Sequence, residues 1–196
     1  MAATESTFAP DHVTCHGERF RLYLSREQIQ DRVSAIGDRI NEQYAGKQPI
    51  LISVLNGAFM FTADLMRAIE IDCEIDFLKL SSYGAEKVSS GQVHELKKID
   101  ANVTNRHVIV VEDIVDTGLS MDFILNRLRQ YNPASLEVAT LLHKAESTEE
   151  DLNLDLRYVG FEIDNLFVIG YGLDYGQLAR NLPDIYILDE PAENNR

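Results

Sequence analysis

From about residue 20 onward, the chain alternates between short apolar runs and longer segments in which apolar residues recur every three or four positions. The runs have the length and the content of β-branched and aliphatic residues that strands require, whereas the recurrent spacing is that of amphipathic helices. Strands that alternate with helices indicate an α/β domain with a parallel sheet. The predicted strands of this sheet are residues 50–55, 73–80, 108–111 and 135–142.

Local signals place one helix before these strands and two between them. Ser25 and Gln28 have the spacing of a capping box, which predicts that the first helix begins there. A second helix follows Asn56-Gly57, and residues 117–120 open a third. The apolar positions of the three helices are, in order, Ile29, Val33, Ile36 and Ile40, then Phe61, Leu65, Met66 and Ile69, then Ile124, Leu125 and Leu128.

The two ends of the chain carry shorter apolar runs. Residues 1–17 are polar and predict no regular element, whereas residues 20–24 alternate as a short strand does. The short terminal strands indicate a small subdomain, a hood, over the edge of the main sheet. The C-terminal runs are residues 157–163, 166–171 and 185–188. We predict a single domain, 1–196, with its core at about 25–170 and its hood from about 15–24 and 171–190.

The second predicted strand and the segment after it differ in character. Within the strand, Ile75 and Phe77 are expected to face the core, with Leu78 as a further candidate. Residues 81–94 are polar, contain two glycines and have no periodicity, and a connection of this length suggests a mobile lid. An ordinary exposed hairpin tip is the other interpretation of these residues.

The residue types that carry chemistry concentrate in residues 107–121, with the sequence HVIVVEDIVDTGLSM. Four consecutive β-branched residues predict a strand buried on both faces, so Glu112 and Asp113 are expected where this strand ends. Ligands of open α/β sheets bind just outside the carboxyl ends of strands. There, the backbone N–H groups, the glycine and the hydroxyls of residues 117–120 can bind a phosphate. The preceding carboxylates repel a phosphate and must serve another part of the ligand.

Composition restricts the ligands and partners of the chain. It has 18 Lys and Arg against 32 Asp and Glu, and this net charge of −14 repels nucleic acid and anionic membranes, so neither is expected as a partner. Any anionic ligand must then be held locally, by metal ions or backbone amides. Cys15 and Cys73 have no metal-ligand spacing and are expected to be reduced thiols. The N-terminus lacks the features of a signal peptide, so a cytoplasmic location is expected.

The segment VVEDIVDTGLSM resembles the phosphoribosyl-diphosphate signature of type I phosphoribosyltransferases, which has two acids, two variable residues, Asp-Thr-Gly, one variable residue and Ser or Thr. The segments LNGAFMFTADL, DFLKLSSYG, LLHK and VGFEIDNLFVIGYGLDYGQLARNLPDIYIL are similar to those of the hypoxanthine-guanine phosphoribosyltransferases, and the resemblance covers about residues 15–190. It implies a Rossmann-like parallel sheet flanked by helices, with a small hood subdomain.

In that family, a purine N9 atom displaces pyrophosphate from C1 of phosphoribosyl diphosphate, with Mg2+ as cofactor, and the products are IMP or GMP. The resemblance implies that Glu112 and Asp113 hold the ribose hydroxyls and that both, with Asp174, bind the metal. It implies that Asp116 is the catalytic base or proton acceptor at purine N7. The residues that it assigns to the 5′-phosphate are Asp116, Thr117, Gly118, Leu119 and Ser120, with Leu119 contributing only its backbone amide.

The resemblance also implies a site for the base. Lys144 donates to the purine O6 atom, Phe167 stacks on the ring, Val168 makes backbone contacts to the base edge, and Asp174 lies near the base. An ammonium group binds a 6-oxo group but meets only an amine in adenine, so 6-oxopurines are favoured and adenine is rejected.

The implied pyrophosphate site combines Asn56, Gly57, Ser82, Tyr83 and Arg180. Many relatives carry Lys-Gly where this chain has Asn56-Gly57, so a neutral donor replaces a cation here. The backbone amide of Gly57 is expected to face the diphosphate, in a turn whose peptide bond is sometimes cis in the family.

Two other functions compete with purine salvage. One is a phosphoribosyltransferase for another base, such as xanthine or a pyrimidine. The other is a nucleotide-sensing regulator of the same fold that binds RNA, against which the net charge of −14 argues. The resemblance further implies a homo-oligomer, either a dimer or a tetramer.

Overall fold

A computed structural model describes residues 10–82, 93–149 and 151–189, without the side chains of residues 81, 82 and 93–95. Its elements in chain order are β1 (His12–Cys15), β2 (Glu18–Leu24), α1 (Arg26–Gln43), β3 (Ile50–Leu55), α2 (Phe59–Ala68), β4 (Glu74–Ser82), β5 (Val93–Lys97), β6 (His107–Val115), α3 (Leu119–Arg129), β7 (Ser135–His143), β8 (Tyr158–Glu162), β9 (Val168–Ile169) and β10 (Ile185–Leu188). Tyr83 and most of the predicted lid lie outside the described residues.

Six strands form the main sheet in the order β5-β4-β3-β6-β7-β8. Strands β4, β3, β6, β7 and β8 run parallel, and β5 is antiparallel to β4 at one edge. The chain crosses from β3 to β4 on one side and from β6 to β7 on the other, so the strand order reverses between β3 and β6. The predicted parallel α/β sheet is confirmed, and such a reversal is where open sheets of this kind bind ligands.

The central strand β6 is buried on both faces, as its run of β-branched residues predicts. Ile109 and Val111 pack with α1 and α2 on one face, whereas Val108 and Val110 pack with α3 on the other. All four side chains are fully buried. Because burial of one aliphatic side chain contributes roughly 1.5–3 kcal/mol, β6 is a firmly held support for the polar residues at its end.

The helices begin where their sequence signals indicate. The predicted capping box of α1 is present, since Ser25 Oγ accepts from the Gln28 N–H and Gln28 Oε1 accepts from the Ser25 N–H. Within the described ranges, no helix combines the length and the apolar character that crossing a membrane would require.

The terminal segments form a second sheet of four strands in the order β1-β2-β10-β9. The prediction that residues 1–17 hold no regular element is wrong for residues 12–15, which pair antiparallel with β2 as β1. His16 and Gly17 both have positive φ, as in the tight turns that join hairpin strands. A His-Gly pair is a weaker hairpin signal than Asn-Gly, so the pattern of residues did not reveal the turn.

Strand β9 is shorter than the apolar run 166–171 predicts. Gly170, Tyr171 and Gly172 all have positive φ, which is incompatible with an extended strand. The chain therefore turns sharply after Ile169 and passes into the loop that carries Asp174.

On β4, the structure reverses the predicted orientation of Ile75 and Phe77 but confirms Leu78 as a core residue. Ile75, expected in the core, is 41% exposed and Phe77 is half-buried, whereas Asp76 is 8% exposed and Leu78 joins the core. Hydrogen bonds to the Asp76 carboxylate come from the backbone N–H groups of Phe77, Asp100 and Ala101 and from Lys97 Nζ. A carboxylate satisfied in this way tolerates burial, so polarity alone did not identify the inner face of the strand.

We expect Asp76→Asn to lower the free energy of unfolding by about 2–4 kcal/mol, because the amide turns an N–H group toward backbone N–H donors. Burial acts to raise the pKa of Asp76, but hydrogen bonds from the N–H groups of Ala101, Phe77 and Asp100 and from Lys97 lower it below its ordinary value. Because the pKa of Asp76 is lower in the folded than in the unfolded protein, its ionised carboxylate stabilises the fold at pH values above the unfolded pKa. This contribution is lost as the pH falls through the folded pKa.

Urea unfolding of the wild type and of Asp76→Asn, at about pH 7 and about pH 3, measures both effects. The difference between the two proteins should shrink toward the acid condition. A difference that stays constant with pH would contradict the role assigned to the ionised carboxylate.

Candidate active site

The site lies at the carboxyl ends of β3 and β6, where the strand order reverses. Pairing between these two strands stops at Ser53 and Val111, so Glu112 begins an open end on the β3 side. On the β7 side, β6 remains paired as far as Val115, so the prediction that the strand ends at Glu112 and Asp113 is wrong there. The strand can therefore hold the two carboxylates rigidly while one of its sides is open.

Glu112 and Asp113 form a half-buried acidic pair. The Asp113 N–H donates to Glu112 Oε1 at 3.2 Å, and the Ile114 N–H donates to Asp113 Oδ1 at 2.9 Å. Burial raises the pKa of Glu112 well above its usual value, and the charge of Asp113 raises it further; burial also raises the pKa of Asp113. Among the described residues, neither forms an ion pair, so the site is suited to hydroxyl donors or a cation.

A cavity of about 110 Å³ lies at the beginning of α3. Gly118 is the N-cap of this helix with φ +86°, in the left-handed region that favours glycine, and no side chain caps the helix. The first N–H groups of a helix have no partner within the helix and are available to an anion. The residues lining the cavity are Glu112, Ile114, Val115, Asp116, Thr117, Gly118, Ser120 and Met121.

Asp116 connects this cavity to Lys144 at the exit of β7. Lys144 Nζ donates to Asp116 Oδ2 at 2.7 Å and to Asn165 Oδ1 at 3.2 Å. The Lys144 side chain and backbone are together only 8% exposed, and a lysine buried to this extent requires such partners. Three segments far apart in sequence therefore hold one ammonium group in a fixed position.

An exposed aromatic ring lies close to this group in sequence. Phe167 is 47% exposed, two residues beyond Asn165, whereas the adjacent Val168 is buried in β9. The ring contacts Tyr175 edge-on, with centroids 5.3 Å apart, and lies 6.1 Å from the ring of Phe20. A ring held at its edge and open to solvent can stack on a planar ligand.

The turn after β3 packs on the acidic pair. The Leu55–Asn56 peptide bond is cis, as it sometimes is in the resembled family. Gly57 lies against the carboxylate of Asp113 so closely that a Cβ atom would overlap it, and Gly172 lies equally close to the carbonyl oxygen of Gly57. Glycine at both positions therefore permits the turn, the carboxylate and the C-terminal loop to meet.

Arg180 links two parts of the C-terminal loop that contacts this turn. Its Nη1 donates to the Gly172 carbonyl oxygen at 2.7 Å, and its Nη2 lies 2.6 Å from Asp174 Oδ1. Asp174 Oδ2 also accepts from the Gln177 N–H. The predicted residues Asp174 and Arg180 therefore lie on the loop whose Gly172 packs against Gly57 of the turn. Ser82 ends β4, but its side chain lies outside the described atoms.

Comparison with known proteins identifies the family. Residues 23–176 match the family model of the phosphoribosyl transferase domain. The hypoxanthine-guanine phosphoribosyltransferase of Bacillus subtilis (strain 168) is 40% identical over 172 residues, which cover 88% of this chain and 94% of that protein. The chain belongs to the hypoxanthine-guanine phosphoribosyltransferase family. The same enzyme of Mycobacterium tuberculosis (strain ATCC 25618 / H37Rv) is 41% identical over 179 residues, 88% of each chain.

Solved structures of the hypoxanthine-guanine phosphoribosyltransferases agree with this membership. A crystal structure from Bacillus anthracis, with a HEPES molecule in the active site, has a TM-score of 0.79 and 41% identity and covers 85% of this chain and 97% of that one. The predicted resemblance, fold and phosphoribosyltransferase activity, a form of glycosyl transfer, are confirmed. The comparisons favour neither the RNA-binding regulator nor an enzyme for another base.

The acidic side chains of this phosphoribosyltransferase fit a metal ion that arrives with its substrate. In the part of the chain that the structure describes, no three His, Cys, Asp or Glu side chains are grouped to hold a metal. Asp174 is already paired with Arg180, whereas among the described residues neither Glu112 nor Asp113 forms an ion pair. Burial raises the pKa of Asp113, and the more distant charge of Arg180 acts to lower it. Because Mg2+ is commonly bound by one or two carboxylates together with substrate phosphates, the acidic pair suits it without a larger cluster.

Two residues of the site were not identified from the sequence of this phosphoribosyltransferase. Asn165, in the turn before Phe167, holds Lys144, and Thr148 Oγ1 donates to the Asp116 carbonyl oxygen at 2.7 Å. Thr148 also approaches Gly118, where a Cβ atom would contact its methyl group. Both residues lie in surface connections without periodicity, and only their proximity to Asp116 and Lys144 reveals them.

Proposed function

We propose that this chain transfers the 5-phosphoribosyl group from phosphoribosyl diphosphate to hypoxanthine or guanine in purine salvage, with IMP or GMP and pyrophosphate as products. The observation that carries the proposal is the double contact of Asp116. This residue lines the cavity at the start of α3, and its carboxylate binds Lys144. A phosphate site and a base site therefore share one residue, which suits a ligand of the size of a nucleoside monophosphate.

The cavity at the start of α3 holds the 5′-phosphate in this proposal. Thr117 and Ser120 offer hydroxyl groups, and Gly118 and Leu119 offer backbone N–H groups at the helix N-terminus. The helix dipole and these donors favour a dianion although the chain as a whole carries a charge of −14. Asp116 contributes its backbone to the same loop.

Glu112 and Asp113 hold the ribose hydroxyls. As the bond from C1 to the diphosphate oxygen breaks, the ribose becomes electron-poor and oxocarbenium-like, and nearby carboxylates stabilise it. Glu112, Asp113 and Asp174, the last now paired with Arg180, would hold Mg2+, whose charge would offset part of the negative charge on the leaving group. Pyrophosphate leaves with the electron pair of the broken bond, and the purine N9 atom forms the new bond to C1.

Lys144 and Asp116 recognise one edge of the purine. The O6 and N7 atoms of a 6-oxopurine lie side by side, and the Lys144 and Asp116 side chains are 2.7 Å apart. Lys144 donates to O6, and Asp116 accepts the proton at N7 as the base attacks. Phe167 stacks on the ring, the backbone of Val168 contacts the base edge, and Asp174 lies near the base. The amino group of adenine cannot accept from Lys144, so adenine is rejected.

The pyrophosphate lies on the other side of the acidic pair. We assign Asn56, the backbone N–H of Gly57 and Arg180 to it, because a Cβ atom on Gly57 would overlap the Asp113 carboxylate and Arg180 binds Gly172, which packs against Gly57. Ser82 and Tyr83 are assigned to the same group by sequence alone. A cytoplasmic homo-oligomer, dimer or tetramer, and the boundaries of core and hood also stay predictions.

Steady-state assays with phosphoribosyl diphosphate, Mg2+ and each of five bases test the proposal. Hypoxanthine and guanine should be substrates, whereas adenine, xanthine and uracil should react much more slowly. Efficient use of adenine would contradict the role of Lys144, and exclusive use of xanthine or uracil would contradict the assignment of the base.

We expect Lys144→Met to lower kcat/KM for hypoxanthine by about 100-fold, because it removes the O6 donor and leaves Asp116 without its cation. The loss should be much smaller for any residual reaction with adenine, so the preference for hypoxanthine over adenine should decrease.

Asn165→Ala should raise the KM for hypoxanthine by about tenfold and leave the KM for phosphoribosyl diphosphate unchanged, because Asn165 acts through Lys144.

Lys47→Met is the matched control for Lys144→Met, since Lys47 is exposed and its Nζ contacts only α1 and its C-cap among the described residues: it donates to the Gln43 carbonyl oxygen and lies over the Tyr44 ring. It should keep the kinetic constants of the wild type. If Lys144→Met retained the full preference for hypoxanthine over adenine, another group would have to read the purine 6-position.

A further inference from the structure

Lys79 lies at the carboxyl end of β4, directly beside the turn that follows β3. In the parallel pairing of these strands, Leu55 is in register with Lys79, so the turn that begins at Asn56 lies next to this lysine. Lys79 Nζ donates to Asn56 Oδ1 at 3.2 Å. The register of the sheet, rather than proximity in sequence, brings the ammonium group to the edge of the candidate active site.

The other cations of the site already have carboxylate partners. Arg180 is paired with Asp174 at 2.6 Å, and Lys144 is paired with Asp116 at 2.7 Å. The partner of Lys79 among the described residues is a neutral amide. Its positive charge is therefore not compensated by a described carboxylate, although the chain as a whole is strongly acidic.

The geometry points to Lys79 as a pyrophosphate-binding residue. It orients the Asn56 amide, and its ammonium group places beside the turn the positive charge that the turn itself lacks. This inference rests on the proposed function, because it assumes that the diphosphate lies at the Asn56-Gly57 turn. The acidic pair repels a diphosphate, and a cation on the neighbouring strand offsets this repulsion.

The hydrogen bond to Asn56 also has a consequence for the orientation of the amide. An ammonium group has three N–H donors and no acceptor, so Asn56 can receive it only through Oδ1. The Asn56 Nδ2 group then remains to donate to a phosphate oxygen, as do the two other N–H groups of Lys79. Lys79 and Asn56 together thus offer several donors and one full positive charge to the leaving group.

Binding of magnesium pyrophosphate, measured by titration calorimetry, tests the inference without turnover. We expect Lys79→Met to raise the Kd about tenfold, as is typical for loss of one hydrogen bond to a charged group, and to raise the KM for phosphoribosyl diphosphate similarly. The KM for hypoxanthine should change less than twofold. Lys79→Arg should bind within about threefold of the wild type, because it keeps the charge.

Two further variants separate charge from structure. Lys47→Met removes a lysine at the opposite end of the sheet and should bind pyrophosphate as the wild type does. The double variant Asn56→Lys, Lys79→Met moves the cation onto the turn and should recover most of the lost affinity. Thermal unfolding of each variant identifies any loss that comes from misfolding.

A Kd of Lys79→Met equal to that of Lys47→Met would overturn the inference. Failure of a correctly folded double variant to recover affinity would overturn the electrostatic role of Lys79. Neither result would affect the proposed function, because that is decided by whether the wild type converts hypoxanthine and guanine. Conversely, a wild type that binds pyrophosphate but uses neither base would refute the proposed function alone.

Discussion

Replacing Asp116 by asparagine should lower kcat by about 10² to 10⁴-fold and change the affinity for IMP by less than about fivefold. Asparagine has the same shape, and its Oδ1 can still accept from Lys144 Nζ, which lies 2.7 Å from the native carboxylate. The amide cannot take up the proton from purine N7, so chemistry is lost while binding is retained. Pre-steady-state turnover and equilibrium binding of IMP measure the two effects separately.

Asp38→Asn is the control for this variant. Asp38 is exposed on α1, and the substitution makes the same change of charge away from the candidate active site. It should leave kcat unchanged. If Asp116→Asn turned over as fast as Asp38→Asn, Asp116 would not be the proton acceptor.

Gly57→Ala should lower kcat/KM by about 100-fold with little change in the unfolding temperature. The added Cβ atom would overlap the carboxylate of Asp113, which must then move away from the ribose. A displacement of about 1 Å at a reacting centre can cost about two orders of magnitude in rate. Unfolding is affected little, because Gly57 lies in a partly exposed turn outside the core.

A double-mutant cycle with Asp113→Ala tests whether Gly57→Ala acts through Asp113. If it does, the double variant should be as slow as Asp113→Ala alone, because the displaced carboxylate is already absent. Full additivity of the two losses would show that Gly57 acts by another route, such as the contact of its carbonyl oxygen with Gly172.

Much of the fold follows from local patterns in the sequence. Strand β3 has the predicted bounds, and α1 begins at the predicted capping box, because both features depend on residues close together in the chain. The predictions of burial are wrong where residues distant in sequence provide hydrogen bonds to a polar side chain and so allow it to be buried. Asp76 is buried because Asp100, Ala101 and Lys97 surround it, and no property of β4 itself indicates this.

The chemistry of the candidate site was likewise only partly determined by local residues. The strand end and the helix start around residues 116–120 could be predicted, because the apolar run, the glycine and the hydroxyls that signal them are consecutive; that this loop binds a phosphate stays a prediction. The orientation of Phe167 could not, because an aromatic residue beside Val168 and Ile169 is as well suited to a core as to a ligand. Its exposure depends on where the second sheet places β9.

By itself, the sequence determined the type of sheet, the turn from β6 into α3 and the presence of three carboxylates in residues 107–121. Only the tertiary structure decided which polar side chains meet: Lys144 binds Asp116 and Asn165, and Lys79 binds Asn56. The physical reason is that periodicity and loop chemistry act over a few residues, whereas these pairs depend on strand order and register. Parallel neighbours are joined by long crossovers, so residues adjacent in the sheet are far apart in the chain.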